Sequence, residues 1–167
     1  WLDPSDYGTR DEKIPGLSLA LWGQYVLDNF ETVAEAVKAL EGSTIQLVGR
    51  AIPVTVPGAG TTMSAAVLHL SLTDKSGDSA IIEYINGKPV VNHNRNYTIM
   101  TNQPSFDKQQ ENLRQYQGFG GTKPLPGSTE PADRFVRAAY YMKLSAKPHD
   151  YREALAGVLS IARAASQ

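Results

Sequence analysis

Asn102, in the last third of the sequence, has the chemistry to assist an acyl-transfer reaction. It stands in the stretch Met100–Pro104, at the exit of a predicted strand and shortly before a proline. Strand ends are where sheets present catalytic groups. An Asn amide is a neutral donor that keeps its proton, and aimed at a developing oxyanion it contributes about a hundredfold to a thousandfold in rate. From the residues alone, a turn-forming Asn is the favoured alternative.

Arg134 and Arg137 form the second candidate group. They are three residues apart in a segment whose apolar residues must face a core. This spacing places at least one guanidinium near the buried side or a cleft, where a cation lowers the pKa of a thiol and keeps a thiolate ready for attack. The alternative, favoured by the residues alone, is a surface ion pair with Asp133 or Glu130.

Metal and phosphate chemistry have little support. The histidines are too far apart for a local metal motif, so we expect no metal site. The stretch 118–121, Gly-Phe-Gly-Gly, follows a predicted helix and lacks the Lys-Ser/Thr of a phosphate loop, so we interpret it as a flexible loop. Glu83, on a predicted strand, and Asp107, near a predicted helix start, are assigned structural roles. The three histidines are His69, His93 and His149.

The composition indicates one globular domain over residues 1–167, with 41% hydrophobic residues and a net charge of -1. Nothing in the charge pattern indicates a nucleic-acid partner, and no apolar run reaches the length of a membrane span. The chain contains no cysteine, which removes disulfides and any thiol nucleophile within these residues.

The elements that must position the candidate residues follow from periodicity. Residues 19–30 and 32–40 predict two helices, the second opened by a Thr32–Glu35 capping box. A strand is predicted around Leu68–Thr73, followed by a hairpin with Asn86-Gly87 at its turn. One more strand is predicted over Asn96–Thr101. The hairpin strands are Ser79–Ile85 and Lys88–His93, and the later predicted helices are Ser105–Tyr116, Arg134–Leu144 with Pro131 in its first turn, and Tyr151–Ala165. This order predicts an α+β fold with helices packed against an antiparallel sheet.

Several sequence segments together resemble those of the choloylglycine hydrolases, the family of penicillin V acylases and conjugated bile salt hydrolases. They are residues 77–85, Gly-Asp-Ser-Ala-Ile-Ile-Glu-Tyr-Ile, residues 100–107, Met-Thr-Asn-Gln-Pro-Ser-Phe-Asp, and Leu125-Pro126-Gly127 followed by residues 132–138, Ala-Asp-Arg-Phe-Val-Arg-Ala. The resemblance extends over essentially the whole chain.

The resemblance implies an αββα fold of the N-terminal-nucleophile hydrolase kind, in which a mature N-terminal Cys attacks a linear amide and forms a thioester. Asn102 matches the family's oxyanion-hole Asn, and Arg134 matches the Arg beside the nucleophile. The nucleophile, a second oxyanion-hole residue and the C-terminal strands would lie outside these residues, so the chain is expected to be the central portion of an incomplete fold. Its partner would be the remaining portion of the same protein, and no cofactor is implied because a thiol and an amine are sufficient.

The short loop between Tyr116 and Arg134 resembles the Gram-negative branch, which implies a periplasmic location, often a homotetramer, and penicillin V or acyl-homoserine lactones as substrates. Trp1 is expected near the substrate pocket, against the alternative of core packing. Conjugated bile salt hydrolysis, and a non-catalytic fragment that only binds amphipathic ligands, are the alternatives that these residues leave open.

Overall fold

The computed structural model describes residues 5–42, 44–49 and 51–166. Its internal contacts divide the chain into two units, one up to Thr98 and one from Ile99 onward. The expectation of one domain stays a prediction.

Within the described residues, the first unit contains two helices and seven strands. The elements are β1 (Gly16–Ser18), α1 (Trp22–Asn29), α2 (Val33–Glu41), β2 (Gln46–Val48), β3 (Ala51–Val56), β4 (Gly60–Ala65), β5 (Leu70–Thr73), β6 (Ser79–Ile85) and β7 (Lys88–His93). Three strands form an antiparallel sheet in the order β5-β6-β7, β3 and β4 form an antiparallel hairpin, and β1 pairs with β2 in parallel. A 3₁₀ turn at Leu19–Leu21 precedes α1.

The start of α2 is fixed from two sides. The Thr32 side chain accepts from the Glu35 amide at 3.2 Å, and the Glu35 carboxylate accepts from the Thr32 amide, which confirms the predicted capping box. Asp74, in the turn after β5, accepts from the Val33 amide at 3.0 Å. Because the first amides of a helix have no partner within it, these bonds tie α2 to its cap and to the sheet.

The hairpin of β6 and β7 has the predicted bounds and turn. Asn86 and Gly87 both have positive φ, at 52° and 75°. A two-residue turn of this kind needs positive φ at both central positions, which Asn-Gly tolerates better than other pairs. The register that follows pairs Ile85 with Lys88 and Ala80 with His93.

The helices of this unit cover one face of the three-stranded sheet. Leu19, Trp22 and Val26 are buried, as their spacing predicted, and pack with Ile82 and Tyr84 of β6. The Trp22 and Tyr84 rings meet edge to face at 5.7 Å. The predicted packing of helices on an antiparallel sheet is thus confirmed for this unit.

Three features differ from the sequence prediction. Neither the parallel β1–β2 pair nor the β3–β4 hairpin was predicted. Pro53 lies within β3, although a proline is atypical of a strand interior. The strand expected over Asn96–Thr101 is wrong, since that segment contains no strand. Its backbone bonds go elsewhere: the Tyr97 carbonyl accepts from Ser79 Oγ at 2.6 Å, and the Tyr97 amide donates to the Asn94 carbonyl in a turn.

Three helices make up the described part of the second unit, and they lie within a few residues of where the sequence predicted them. Phe106 and Phe135 are buried and meet edge to face at 6.0 Å, joining the first two helices. Arg137 donates to the carbonyl of Ala165 at 2.6 Å, joining the second and third. The helices are α3 (Phe106–Leu113), α4 (Pro131–Leu144) and α5 (Tyr151–Ser166).

Candidate active site

Asn102 lies in a bend that belongs to no sheet among the described residues, so its predicted place at a strand exit is wrong. The segment is held by side chains instead of by a neighbouring strand. The Thr101 hydroxyl donates to the carbonyl of Pro131 at 2.9 Å, and the Gln103–Pro104 peptide bond is cis. Asn102 itself is half-buried, so its side chain keeps access to solvent.

Arg134 stands in the first turn of α4. Pro131 occupies the first helical position, where its fixed φ suits the helix and its missing N–H is not needed. The Arg134 amide then donates to the Glu130 carbonyl at 2.9 Å. This start places the Arg134 side chain beside the Asn102 segment.

Arg134 and Asn102, which the sequence predicted as a site, are in direct contact. Arg134 Nη2 donates to Asn102 Oδ1 at 2.7 Å, and Arg134 Nε donates to the Thr129 carbonyl at 3.1 Å. A guanidinium has only donors, so the Asn102 atom that faces it must be the carbonyl oxygen. The contact therefore fixes the Asn102 amide with Nδ2, the donor atom, directed away from Arg134.

Arg137 is the guanidinium that the helix buries. It is 5% exposed and donates to the carbonyls of Ser128 at 2.6 Å and Pro126 at 3.3 Å, besides that of Ala165. The spacing argument that one of the two arginines must approach the core is thus confirmed. The role of Arg137 is to join the loop before α4 to the end of α5.

The surface ion pair that was the alternative for Arg134 does not form in the described part of the chain. Asp133 instead accepts from Ser128 Oγ at 2.6 Å, which closes the loop ahead of α4. The Arg134 cation is therefore not neutralised by a neighbouring carboxylate, and the guanidinium N–H groups beyond those already bonded can serve a further anion.

The other titratable residues have structural surroundings. Glu83 is buried in β6, and its carboxylate lies 3.9 Å from His69 Nδ1. Asp107 lies in the first turn of α3, where a hydrogen bond from Ser105 lowers the pKa of its carboxyl group. Among the residues that the structure describes, no three acidic, His or Cys side chains gather at a possible metal site.

Trp1, predicted near the substrate pocket, lies outside the described residues. Within them, no helix has the length and apolar character needed to cross a bilayer.

Gln109 is a residue near the site that the sequence analysis did not single out. It is buried in α3, and its side-chain amide contacts the backbone that carries Asn102. The available signal was its spacing from Phe106, because a position three residues from a buried aromatic shares the inward face of a helix. A Gln on that face needs partners for its amide.

Comparison with known proteins shows the same family throughout. The profile of the linear amide C–N hydrolases, choloylglycine hydrolase family, matches residues 5–167. A penicillin V acylase of Pectobacterium atrosepticum is 49% identical over 145 residues, which cover 86% of this chain and 37% of that protein. A bile salt hydrolase/transferase of Clostridium perfringens is 32% identical over 148 residues, covering 76% of this chain and 41% of that protein.

Solved structures give the same result. The penicillin V acylase of Agrobacterium tumefaciens matches with a TM-score of 0.81 at 45% identity, over 99% of this chain and 47% of that one. A mutant conjugated bile acid hydrolase of Clostridium perfringens matches with a TM-score of 0.69 at 25% identity, over 95% of this chain and 53% of that one. The chain thus spans less than half the length of the penicillin V acylases it matches. The expected fold class, an N-terminal-nucleophile hydrolase fold present in part, is confirmed, and the chain belongs to the choloylglycine hydrolase family of linear amide C–N hydrolases.

Proposed function

We propose that the full-length protein containing this chain hydrolyses a linear amide of the penicillin V type. Asn102 donates from Nδ2 to the oxyanion, and Arg134 holds the Asn102 amide and the nucleophile in place. The observation that carries this proposal is the 2.7 Å bond from Arg134 Nη2 to Asn102 Oδ1. It leaves a neutral N–H₂ donor in a fixed orientation, which is what stabilisation of an oxyanion requires.

The proposed reaction uses a mature N-terminal Cys from a part of the protein outside this chain, which itself has no cysteine. The thiolate attacks the amide carbon, and its α-amino group takes the thiol proton. The carbonyl oxygen becomes an oxyanion that accepts from Asn102 Nδ2. The intermediate then expels the amine, which receives that proton, and water hydrolyses the remaining thioester.

Arg134 serves the nucleophile as a cation. A guanidinium stays protonated at any pH at which the enzyme works, so its charge favours the thiolate over the thiol and lowers the pKa of the Cys. Within the described residues, two of its five N–H groups donate hydrogen bonds, one to Asn102 and one to Thr129. The others are free to face the sulfur.

Penicillin V is the preferred substrate class because the penicillin V acylases are more similar to this chain than the bile salt hydrolases are, at 49% against 32% identity. Acyl-homoserine lactones present the same kind of linear amide and form part of the proposal. Bile salt conjugates are the second candidate, supported by the bile salt hydrolase relatives. We further propose a periplasmic homotetramer, which cell fractionation and light scattering of the purified protein would test.

The deciding experiment measures turnover by the full-length protein. Release of phenoxyacetate from penicillin V is compared with release of glycine from a bile salt conjugate and of the fatty acid from an acyl-homoserine lactone. Asn102→Ala should lower kcat about a hundredfold to a thousandfold. Asn29→Ala, the same change at an exposed position on α1, is the matched control and should retain turnover. Binding without release of any product would instead favour a non-catalytic protein.

A further inference from the structure

The buried amide of Gln109 is the feature of the second unit that the proposed reaction leaves unexplained. Gln109 is 2% exposed on α3, between the buried Phe106 and the aliphatic Leu113. A polar side chain in such a place costs free energy unless its hydrogen bonds are made. A Leu or Met would fill the space without that cost, so the amide must supply something that an apolar residue cannot.

The Gln109 amide donates to the backbone carbonyls of Asn102 and of the residue that follows it. Its Nε2 lies 3.2 Å from the Gln103 carbonyl oxygen and 3.5 Å from the Asn102 carbonyl oxygen. Carbonyl oxygens only accept, so the atom facing them must be the N–H₂ group. The Oε1 atom is buried with no hydrogen-bond partner among the described residues, which shows that the donor end is the end in use.

A third hydrogen bond of the Gln109 amide connects α3 to the start of α4 through Thr101. Gln109 Nε2 donates to Thr101 Oγ1 at 3.2 Å, and that hydroxyl donates onward to the Pro131 carbonyl at 2.9 Å. Pro131 opens the helix that carries Arg134. The backbone at Asn102 is therefore held from α3 through Gln109, while the Asn102 side chain is held from α4 through Arg134.

We propose that Gln109 is a positioning residue. Its hydrogen bonds fix the position and direction of the backbone at Asn102, and thereby the position of Asn102 Nδ2. This inference rests on the oxyanion role proposed for Asn102. Because the segment has no strand neighbours, the side chains of Gln109 and Thr101 take the place of a sheet in fixing it. An oxyanion donor displaced by about 1 Å loses on the order of a hundredfold in rate, so the geometry of this support matters.

The test compares Gln109→Met with Gln110→Met in the full-length protein. Both changes remove an amide from α3, but Gln110 lies outside the contacts described above. Gln109→Met should lower kcat for the amide substrate about 10- to 100-fold while KM changes less than about threefold. Gln110→Met should keep the original kcat, and the original kcat in Gln109→Met would overturn the proposal.

A double variant separates positioning from a general structural effect. If Gln109 acts through Asn102, then Asn102→Ala combined with Gln109→Met should turn over at the rate of Asn102→Ala alone. If the double variant is slower than Asn102→Ala by the same factor that Gln109→Met lowers kcat on its own, the inference is overturned and the proposed function still stands. Normal turnover by Asn102→Ala itself would instead refute the oxyanion role, which is a distinguishable result.

A second variant covers the case in which Gln109→Met does not fold, as judged by circular dichroism and thermal unfolding. Thr101→Val keeps the shape of the side chain and removes the hydroxyl that links Gln109 to Pro131. It should lower kcat with KM nearly unchanged, and the effect should vanish on an Asn102→Ala background. Full turnover by a folded Thr101→Val protein would overturn the proposed support.

Discussion

Arg134 and Asn102 are joined by a 2.7 Å hydrogen bond from Nη2 to Oδ1, across 32 residues of sequence. The bond is charge-assisted, which makes it stronger and more directional than a bond between neutral groups. A second bond, from Arg134 Nε to the Thr129 carbonyl, fixes the plane of the guanidinium. The amide of Asn102 therefore has one orientation, with its donor end directed away from the cation.

The first prediction concerns the geometry of this pair. Arg134→Lys keeps the positive charge but loses the planar fork that bonds Asn102 and Thr129 at once. We expect kcat to fall about 10- to 100-fold, the equivalent of one charge-assisted bond of about 1.5–3 kcal/mol. Initial rates on penicillin V over a range of concentrations would give kcat and KM separately.

The control for this measurement is Arg152→Lys, at an exposed position on α5. It makes the same chemical change away from Asn102 and should leave kcat as it is. An Arg134→Lys enzyme with unchanged kcat would show that charge alone is needed and that the bidentate geometry has no part in the rate.

The sequence predicted both residues of the candidate site but not their contact. Asn102 and Arg134 were found by residue type and by resemblance, and the residues alone favoured a turn for the first and a surface ion pair for the second. Only the folded unit shows that α4 begins close to the Asn102 segment, because that depends on the packing of Phe106 against Phe135. The spacing of Gln109 from Phe106 places it on the inward face of α3, but its partners, the Thr101 hydroxyl and two backbone carbonyls, are seen only in the folded unit.

Local structure was predictable where local chemistry decides it. The Asn86-Gly87 turn and the capping box at Thr32 specify their conformations within a few residues, and both are found. The segment Asn96–Thr101 looked like a strand by composition but has no strand to pair with. Whether an extended segment joins a sheet is decided by its neighbours in space, which the sequence does not display.

The second prediction is that Arg137 stabilises the second unit. Its buried guanidinium donates to the carbonyls of Pro126, Ser128 and Ala165. Arg137→Met should lower the free energy of unfolding by at least about 2 kcal/mol, because three bonds from a charged donor are lost and the carbonyl of the buried Ala165 is left without that partner. Urea unfolding compared with Arg152→Met would measure this, and equal stability of the two variants would contradict it.

The third prediction concerns stability in acid. Hydrogen bonds from Ser76 and from the Val33 amide lower the pKa of Asp74 to about 2, from an ordinary 3.8. A lowered folded-state pKa means that this stabilisation is complete above about pH 4 and is lost as the pH falls toward 2. Asp74→Asn cannot titrate, so its Tm should fall less than that of the unmodified protein between pH 5 and pH 2. Parallel Tm curves for the two proteins would contradict the prediction.

The last prediction concerns Tyr7, whose hydroxyl forms hydrogen bonds with the backbone of Leu68, just before β5. The hydroxyl accepts from the Leu68 amide at 2.7 Å and donates to the Leu68 carbonyl at 3.0 Å, so one side chain pairs both groups of that residue. Tyr7→Phe should lower the free energy of unfolding by about 1–3 kcal/mol, since the Leu68 amide loses its side-chain partner and the Leu68 carbonyl keeps only the bond from Ser5 Oγ. Tyr25→Phe, whose ring packs on Phe30, should change it by less than about 0.5 kcal/mol.

The stabilisation by Tyr7 should also depend on pH, because its hydroxyl titrates. Burial raises the pKa of Tyr7 above its ordinary 10.0, because the phenolate is poorly solvated in the folded unit. A raised folded-state pKa means that the stabilisation is complete below pH 10 and is lost as the pH rises through the folded value. The stability difference between the unmodified protein and Tyr7→Phe should therefore narrow above pH 10. A difference that stays constant there would show that the phenolate is tolerated beside Leu68.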